Sequence, residues 1–437
     1  MKIFLDTIGC RLNQAEIERI ARHFRSAGHE IVATAGEADL ALVNTCTVTS
    51  EAASDSRAAI RRINRSGVPT IIATGCWATI EPEAAARLPG VTHIIPNQDK
   101  DEMVPDLLGL PREDFDLEPI ARMPLPGMHA RTRALLKVQD GCNNACSYCI
   151  TRLARGNSRS IPMEKVLKDV KAALTGGTQE IVLTGVHLGA WGLDLSPRQG
   201  LSDLVTSLLA HNAIPRLRLS SLEPWDLEPA FFEMWRYPAL CPHLHIPLQS
   251  GSTAVLGRMN RKITLEAYKR LVEKARASIP GIAITTDIIV GFPGETEEEF
   301  NESLAFIRSM NFAGGHVFTY SARPGTAAAS MPGRIHGQVA RLRSQQVRTV
   351  LADSAHCYRQ DYLGRTVKVL WESASQISDM GWRMEGLTGN YLRVSAMATE
   401  PRPNQIDMVN IHSVDGDILE GEILLGKASM SPGASTS

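Results

Sequence analysis

Three cysteines, Cys142, Cys146 and Cys149, stand in a CxxxCxxC spacing within the run Gln139-Asp140-Gly141-Cys142-Asn143-Asn144-Ala145-Cys146-Ser147-Tyr148-Cys149. No other feature narrows the possible folds of this chain as much. Three thiolates can hold a cubane iron–sulfur cluster by three of its four irons, and the fourth iron is then open to another ligand. Zinc is the competing reading. A closed structural zinc site uses four ligands, usually as two CxxC pairs, and no fourth Cys or His lies nearby with that spacing. A scaffold for such a loop has to be rigid and has to present it at one end.

With 437 residues the chain is long enough for about three domains. Its 46 Lys and Arg against 47 Asp and Glu give a net charge of −1, so any nucleic-acid site must be a local patch rather than a global field. The start, Met1-Lys2-Ile3-Phe4-Leu5-Asp6-Thr7, meets Asp6 before an apolar signal core could form, and no later run is apolar for long enough to span a bilayer. The expectation is a soluble, cytoplasmic protein with no membrane partner. Eight cysteines then read as thiols in a reducing compartment, some of them clustered for metal.

The first segment, residues 1–110, alternates short apolar runs with amphipathic stretches. Lys2 to Asp6, Leu40 to Asn44 and Thr70 to Thr74 read as strands, and Gln14 to Ser26 and Ser50 to Arg65 as helices, which makes a small parallel α/β domain. Each strand runs into a cysteine: Cys10, Cys46 and Cys76. Ligands of a parallel sheet collect at the carboxyl ends of its strands, so these three thiols are expected at one edge. The competing reading is three buried structural thiols.

From Pro105 the pattern dissolves into proline, glycine and acids, and residues 111–130 read as a linker. Beyond it, over residues 131–355, six apolar strands recur with helices between them: Leu135 to Val138, Glu180 to Leu183, Arg216 to Leu219, His243 to Ile246, Ala283 to Val290 and His316 to Thr319. This resembles a partial (β/α)6 barrel, whose chemistry would lie on the loops at the strand C-terminal ends. A helical run from Gln338 to about Ala355 follows. Residues 358–428 are short alternating runs broken by glycine, as expected of a small β-barrel, and residues 429–437 read as a disordered tail.

The CxxxCxxC spacing resembles the signature of radical S-adenosylmethionine (SAM) enzymes, in which the open iron chelates the amino and carboxylate groups of SAM and an electron releases an adenosyl radical. The expected strands are followed by motifs suited to that cofactor. Gly185 allows close backbone approach, Ser221 and Glu223 suit an ammonium or ribose hydroxyls, and Gln249, Asp287 and Gly291 follow or end the fourth and fifth strands. Singly, each is what an ordinary turn or helix cap looks like; together they would face one cavity.

The whole arrangement resembles the methylthiotransferases of the radical SAM superfamily. The resemblance rests on both cysteine triplets and on three further runs: Leu244-His245-Ile246-Pro247-Leu248-Gln249-Ser250-Gly251, Thr286-Asp287-Ile288-Ile289-Val290-Gly291-Phe292-Pro293-Gly294-Glu295-Thr296, and Phe318-Thr319-Tyr320-Ser321-Ala322-Arg323-Pro324-Gly325-Thr326. It implies an auxiliary [4Fe–4S] cluster on Cys10, Cys46 and Cys76, a radical-generating [4Fe–4S] cluster on Cys142, Cys146 and Cys149, and a C-terminal TRAM-like barrel. The cysteine loops, Gly9-Cys10-Arg11-Leu12-Asn13-Gln14 and Asn44-Thr45-Cys46-Thr47-Val48-Thr49 among them, look like the branch acting on N6-threonylcarbamoyladenosine at position 37 of tRNA. The isopentenyladenosine branch and the branch acting on a ribosomal protein aspartate are the alternatives. Two positions depart from the family pattern: Arg152, where proline is common, and Ile161, where arginine is usual.

The resemblance implies that one SAM methylates a sulfur held by the auxiliary cluster, while a second yields the radical that opens carbon 2 of the adenine. It also implies tRNA as partner, an electron donor such as flavodoxin or ferredoxin, a sulfur source, and a monomer. The base must leave the anticodon-loop stack, at a cost of a few kcal/mol that RNA contacts offset. Candidate contacts are Arg365, Lys368, Arg383, Asn390, Tyr391 and Arg393 of the C-terminal barrel, and Arg57, Arg61 and Arg65 on one helix. Such arginines are commonly no more than a solvated face. Cys241 and Cys357 match no cluster position and read as structural thiols. A non-catalytic iron–sulfur protein, binding RNA or carrying electrons, is the reading from another class; the intact motifs behind five barrel strands argue against it.

Overall fold

Short apolar runs become strands, and those at the centre of a sheet, such as Leu40–Thr45 and Thr70–Gly75, are buried on both faces past their first residue, which is why their apolar residues stand in succession. In the computed structural model the first five form one parallel sheet: β1 (Lys2–Thr7), β2 (Glu30–Val32), β3 (Leu40–Thr45), β4 (Thr70–Gly75) and β5 (Val91–Ile95), in the order β2-β1-β3-β4-β5. The structure describes residues 1–111, 132–211, 213–378 and 381–424, and the chain divides into two units, Met1–Ala355 and His356–Ser437. The helices Arg11–Ser26 and Ser50–Arg65 lie where amphipathic periodicity places them. Two strands escape a sequence reading. β2 has only three residues, too few to show a period, and β5 carries exposed Thr92 and His93 at its centre.

Pro105 does not begin a linker: Met103–Leu108 is a short helix. Proline is tolerated in that first turn because its missing amide would have had no helical partner. The rest of the expected linker and the Ser/Pro/Gly/Ala tail lie outside the described residues, apart from Pro111.

The barrel strands follow: β6 (Arg133–Lys137), the two-residue β7 (Gln139–Asp140) and β8 (Arg159–Ser160), then β9 (Glu180–Thr184), β10 (Arg216–Leu219), β11 (His243–His245), β12 (Ala283–Val290) and β13 (Gly314–Thr319). Two parallel sheets, β10-β9-β6 and β11-β12-β13, are joined by the parallel bridges Leu217↔Leu240 and Ser221↔His245. The result is a run of six parallel strands, an open barrel, whose strands share one hydrophobic core with Trp191, Tyr268, Phe300 and Phe312 of the helices and connections, each at most 1% exposed. β7 and β8 pair antiparallel, Gln139 with Ser160 and Asp140 with Arg159, and so clasp the base of the cysteine loop.

The helix Gly337–Gln360 runs past Ala355. In the second unit Tyr358 and Tyr362, one turn apart, meet at 3.1 Å between hydroxyls. The remaining strands, β14 (Thr366–Ser378), β15 (Gly381–Thr388), β16 (Arg393–Ala398), β17 (Ile406–Asp415) and β18 (Ile418–Leu424), close a barrel in the order β14-β15-β16-β18-β17. Its interior is Val369, Trp371, Met384, Val394, Val409, Ile411 and Leu419. Among the described residues no helix is long and apolar enough to cross a membrane.

Candidate active site

β1, β3 and β4 are neighbours in the first sheet, and each ends just before a cysteine. Adjacent strands lie about 4.8 Å apart, so Cys10, Cys46 and Cys76 come to the same edge by construction. Cys10 precedes the helix Arg11–Ser26 and is exposed, whereas Cys46 and Cys76 are buried. Gly9 has φ +103°, and a Cβ there would lie 2.6 Å from both Cβ and Sγ of Cys46, so only glycine lets the Cys10 loop close against Cys46. Asn13 donates to the carbonyls of Ile8 and Thr45, joining the same two loops at 2.8 and 3.1 Å. The Asn97 amide lies 3.5 Å from Cys76 Sγ. Burial pushes the Cys46 thiol up to about 11, which leaves it protonated at neutral pH until a metal takes the proton's place.

The second triplet lies in the loop that leaves β7. Gly141 has φ +68°, and a Cβ would meet the Asn157 carbonyl at 2.0 Å, so this turn too requires glycine. The Cys142 amide donates to the Gly156 carbonyl at 3.1 Å, and the Asn144 amide points at Cys142 Sγ from 3.4 Å. Burial raises the thiols of Cys146 and Cys149, with Arg261 pulling Cys146 the other way; its guanidinium lies 3.8 Å from that sulfur. Among the described residues no three Cys, His, Asp or Glu side chains are drawn together closely enough to hold a single metal ion. A cubane spreads its ligands over separate irons and asks for a wider set of sulfurs than one tetrahedral ion. Three thiols on one clasped loop, with an amide aimed at one sulfur, fit that larger group.

Of the expected cofactor residues, Gly185, Ser221, Glu223, Gln249 and Gly291 follow strand C-terminal ends, while Asp287 lies within β12. Gly185 packs on Gln139, where a Cβ would come within 2.8 Å of Oε1. Ser221 is exposed at the bridge between β10 and β11. Glu223 is gripped by Arg261 at 2.7 and 3.1 Å, and Arg261 also donates to the Pro247 carbonyl and lies 4.6 Å over the Trp225 ring. Gln249 has φ +71° and bridges to Ile288 of β12. Asp287 lies 3.2 Å from His245, and its Oδ1 is buried without a hydrogen-bond partner among the described residues. Gly291 lines a cavity of about 590 Å³ at the end of β13, shared with Ser50, Thr319, Tyr320, Arg334 and Arg341. Ser50, four residues beyond Cys46, reaches Ser321 at 2.7 Å, so both halves of the unit border this space.

Two side chains beside this triplet, His187 at Cys142 and Arg261 at Cys146, have no role in the sequence reading. His187 is 2.7 Å from Asp226, and although burial alone would lower its pKa, hydrogen bonds to Asp226 and Cys142 raise it to about 10. His187 stands in the run after the second barrel strand and Arg261 in no motif of the sequence; neither has its partner, Asp226 or Glu223, within a few residues, and only the fold reveals the pairs.

At the departures from the family pattern, Arg152 is exposed and Ile161 packs partly against the barrel core. Cys241 is buried, as expected, while Cys357 is exposed and is no packed thiol. Among the RNA candidates Arg365, Lys368 and Arg393 are exposed, Arg383 donates to Ser395, and Tyr391 is half-buried. Asn390 is different. It is buried, and its amide donates to the Tyr358 and Tyr362 hydroxyls, so this side chain holds the barrel's own structure and is not presented to RNA. Arg57 lies over Trp77 at 5.8 Å, which leaves Arg61 and Arg65 as the exposed members of that row.

Residues 136–307 match the model of the Radical SAM superfamily, and residues 2–96 that of an uncharacterized protein family, UPF0004. The chain is 35% identical over 432 residues to the threonylcarbamoyladenosine tRNA methylthiotransferase MtaB of Bacillus subtilis, covering 96% of this chain and 95% of that one. It is 37% identical over 379 residues to MtaB of Thermotoga maritima, covering 84% and 86%. The chain belongs to the radical SAM methylthiotransferase family. A tRNA-2-methylthio-N(6)-dimethylallyladenosine synthase of Cereibacter sphaeroides is 33% identical over 394 residues, covering 86% and 88%. In fold, the methylthiotransferase is similar to the radical SAM methyltransferase TsrM of Kitasatospora setae, with a TM-score of 0.57 over 75% of each chain at 14% identity. As a member of this family the methylthiotransferase is an enzyme that uses SAM and a [4Fe–4S] cluster.

Proposed function

We propose that this chain methylthiolates carbon 2 of N6-threonylcarbamoyladenosine at position 37 of tRNA, in the cytoplasm, with two [4Fe–4S] clusters. The observation that carries the substrate is the 35% and 37% identity, over most of both chains, to two relatives named for it. Residues 1–110 would hold the auxiliary cluster on Cys10, Cys46 and Cys76, residues 131–355 the radical-generating one on Cys142, Cys146 and Cys149, and residues 358–428 would bind RNA. When bound, these groups supply a reductively generated adenosyl radical and a sulfur that can be methylated, with electrons from a flavodoxin- or ferredoxin-class donor and sulfur from a separate source.

The chain's own part is to bind, orient and exclude water. Gly185 and Gly291 would bring backbone close to SAM, and Ser221 and Gln249 beyond β10 and β11, with Asp287 within β12, would offer it hydrogen-bond partners. Glu223, held rigid by Arg261, retains lone pairs for an ammonium or ribose hydroxyl. Glu223→Gln is therefore expected to weaken SAM binding about tenfold, measured as the SAM concentration that half-saturates 5′-deoxyadenosine formation without tRNA. An unchanged value removes Glu223 from the cofactor site. Exposed Arg365, Lys368 and Arg393, with Arg383 and Tyr391, supply RNA contacts that offset the unstacking of the base.

The acidic threonylcarbamoyl group needs donors that an isopentenyl group leaves unsatisfied, and unpaired polar groups in a dry site discriminate more strongly than a missing methylene. The 33% identity to a dimethylallyladenosine enzyme favours the second reading, and the two part on one experiment. Offered tRNA bearing either modification under reducing conditions, the reconstituted enzyme should methylthiolate threonylcarbamoyladenosine at least about a hundredfold faster. Faster turnover of isopentenyladenosine would move the chain to the other branch and leave its radical chemistry standing. Turnover on a ribosomal protein aspartate instead would remove tRNA as the substrate.

A further inference from the structure

Between the two cysteine triplets lies a group of three acids, Glu16, Asp101 and Asp140, and three bases, Lys100, Lys137 and Arg155, buried except for Asp101, whose side chain is 40% exposed. Arg155 Nη1 bonds Glu16 Oε1 at 2.7 Å and Asp140 Oδ1 at 3.0 Å, and its Nη2 bonds Asn13 Oδ1 at 2.7 Å. Lys100 bonds Glu16 at 2.8 Å and Asn44 at 2.9 Å, and Lys137 bonds Asp101 at 2.7 Å and lies 3.4 Å from Asp140. Glu16, Lys100, Asp140 and Arg155 are each at most 4% exposed.

The attachment points of this group are what matter. Asn13 and Glu16 sit on the helix that starts at Cys10; Asn44 is two residues before Cys46; Asp140 is two residues before Cys142 and accepts from the Gly141 amide at 2.8 Å; Arg155 is six residues after Cys149. Asn97 makes a second, independent tie: its amide reaches both Cys76 Sγ, at 3.5 Å, and the carbonyl of Ala154, at 2.8 Å. One guanidinium thus touches the supports of both triplets. A buried ion cluster is poor evidence for stability, because desolvation costs about what pairing returns, and its best-attested use is to fix one arrangement among several. Sulfur transfer between two centres depends on such an arrangement, since a misplacement of about 1 Å can cost on the order of a hundredfold in rate.

We propose that Arg155, through Glu16 and Asp140, is a positioning residue that sets the auxiliary triplet against the radical triplet and so couples SAM cleavage to methylthio transfer. The inference rests on the two-cluster reading above. The Arg155 guanidinium bonds Glu16, Asp140 and Asn13, supports of the two triplets rather than cluster ligands, so its loss should spare the first event and damage the second.

The test compares wild type, Arg155→Gln and Arg155→Lys as full-length chains reconstituted with iron and sulfide. Iron content, 5′-deoxyadenosine and methylthiolated nucleoside are measured together, and the magnetic interaction between the reduced clusters is read by electron paramagnetic resonance. In Arg155→Gln we expect full iron, 5′-deoxyadenosine formation within about twofold of wild type, a fall of roughly 10- to 100-fold in product per 5′-deoxyadenosine, and an altered inter-cluster interaction. Arg155→Lys, which keeps the charge but not the fork, should recover part of the ratio. An unchanged product ratio and spectrum with both clusters present overturns the inference. So does a loss of iron or of both activities in parallel in the Lys variant, which would make Arg155 a folding residue only. A wild type that holds one cluster would instead overturn the two-cluster reading itself.

Discussion

Replacing Cys142, Cys146 and Cys149 together with alanine will reduce 5′-deoxyadenosine and methylthiolated tRNA to background and lower bound iron and sulfide by about half. The loop is expected to survive the change. Its base is clasped by β7 and β8, its entry is turned by Gly141, and the Cys142 amide is bonded to Gly156, none of which involves a sulfur. The iron that remains should belong to the first triplet, whose strand ends lie on another sheet. Iron and sulfide analysis after anaerobic reconstitution, with a chromatographic assay for 5′-deoxyadenosine, checks both halves of the result. Retention of all the iron, or zinc in place of iron in wild type, would be incompatible with a radical-generating cluster on this loop.

The reason so much of this fold was legible lies in the strands. Short runs rich in apolar residues between turn or helix signals mark β1, β3, β4 and β12, and the alternating Arg216-Leu217-Arg218-Leu219 marks β10, so all five stand in the sequence within a residue of their ends. The cysteines were legible for a related reason: a loop that follows a strand C-terminus is at the functional edge whatever the rest of the chain does. What stayed hidden has no local signature. Arg155 is one of 46 basic residues, and nothing near it in the chain announces that Glu16, 139 positions away, will lie 2.7 Å from it. Asn390 misled for the opposite reason, because an asparagine beside Tyr391 in a barrel looks like an RNA contact, while the fold turns it inward onto two tyrosine hydroxyls. His187 and Asp226 likewise meet only because β9 and β10 are adjacent.

Removing Cys10, Cys46 and Cys76 should separate the two halves of the reaction. The triple alanine variant is expected to form 5′-deoxyadenosine from SAM at close to the wild-type rate, because every element around Cys142 is still in place, and to make no methylthiolated nucleoside, because no thiolate is left in the first domain to anchor the group that carries the sulfur. Stability should fall only modestly: Cys46 and Cys76 are buried, and truncating a small buried side chain costs about 1 kcal/mol each. The decisive measurement is the ratio of methylthiolated nucleoside to 5′-deoxyadenosine in one reaction mixture, with iron content taken from the same sample. A ratio at background with half the iron assigns these cysteines to the sulfur-bearing cluster. A variant that still makes methylthiolated nucleoside would leave Cys10, Cys46 and Cys76 as structural thiols, and with them would go the reason for Asn13, Asn44 and Asn97 to converge on this edge of the sheet.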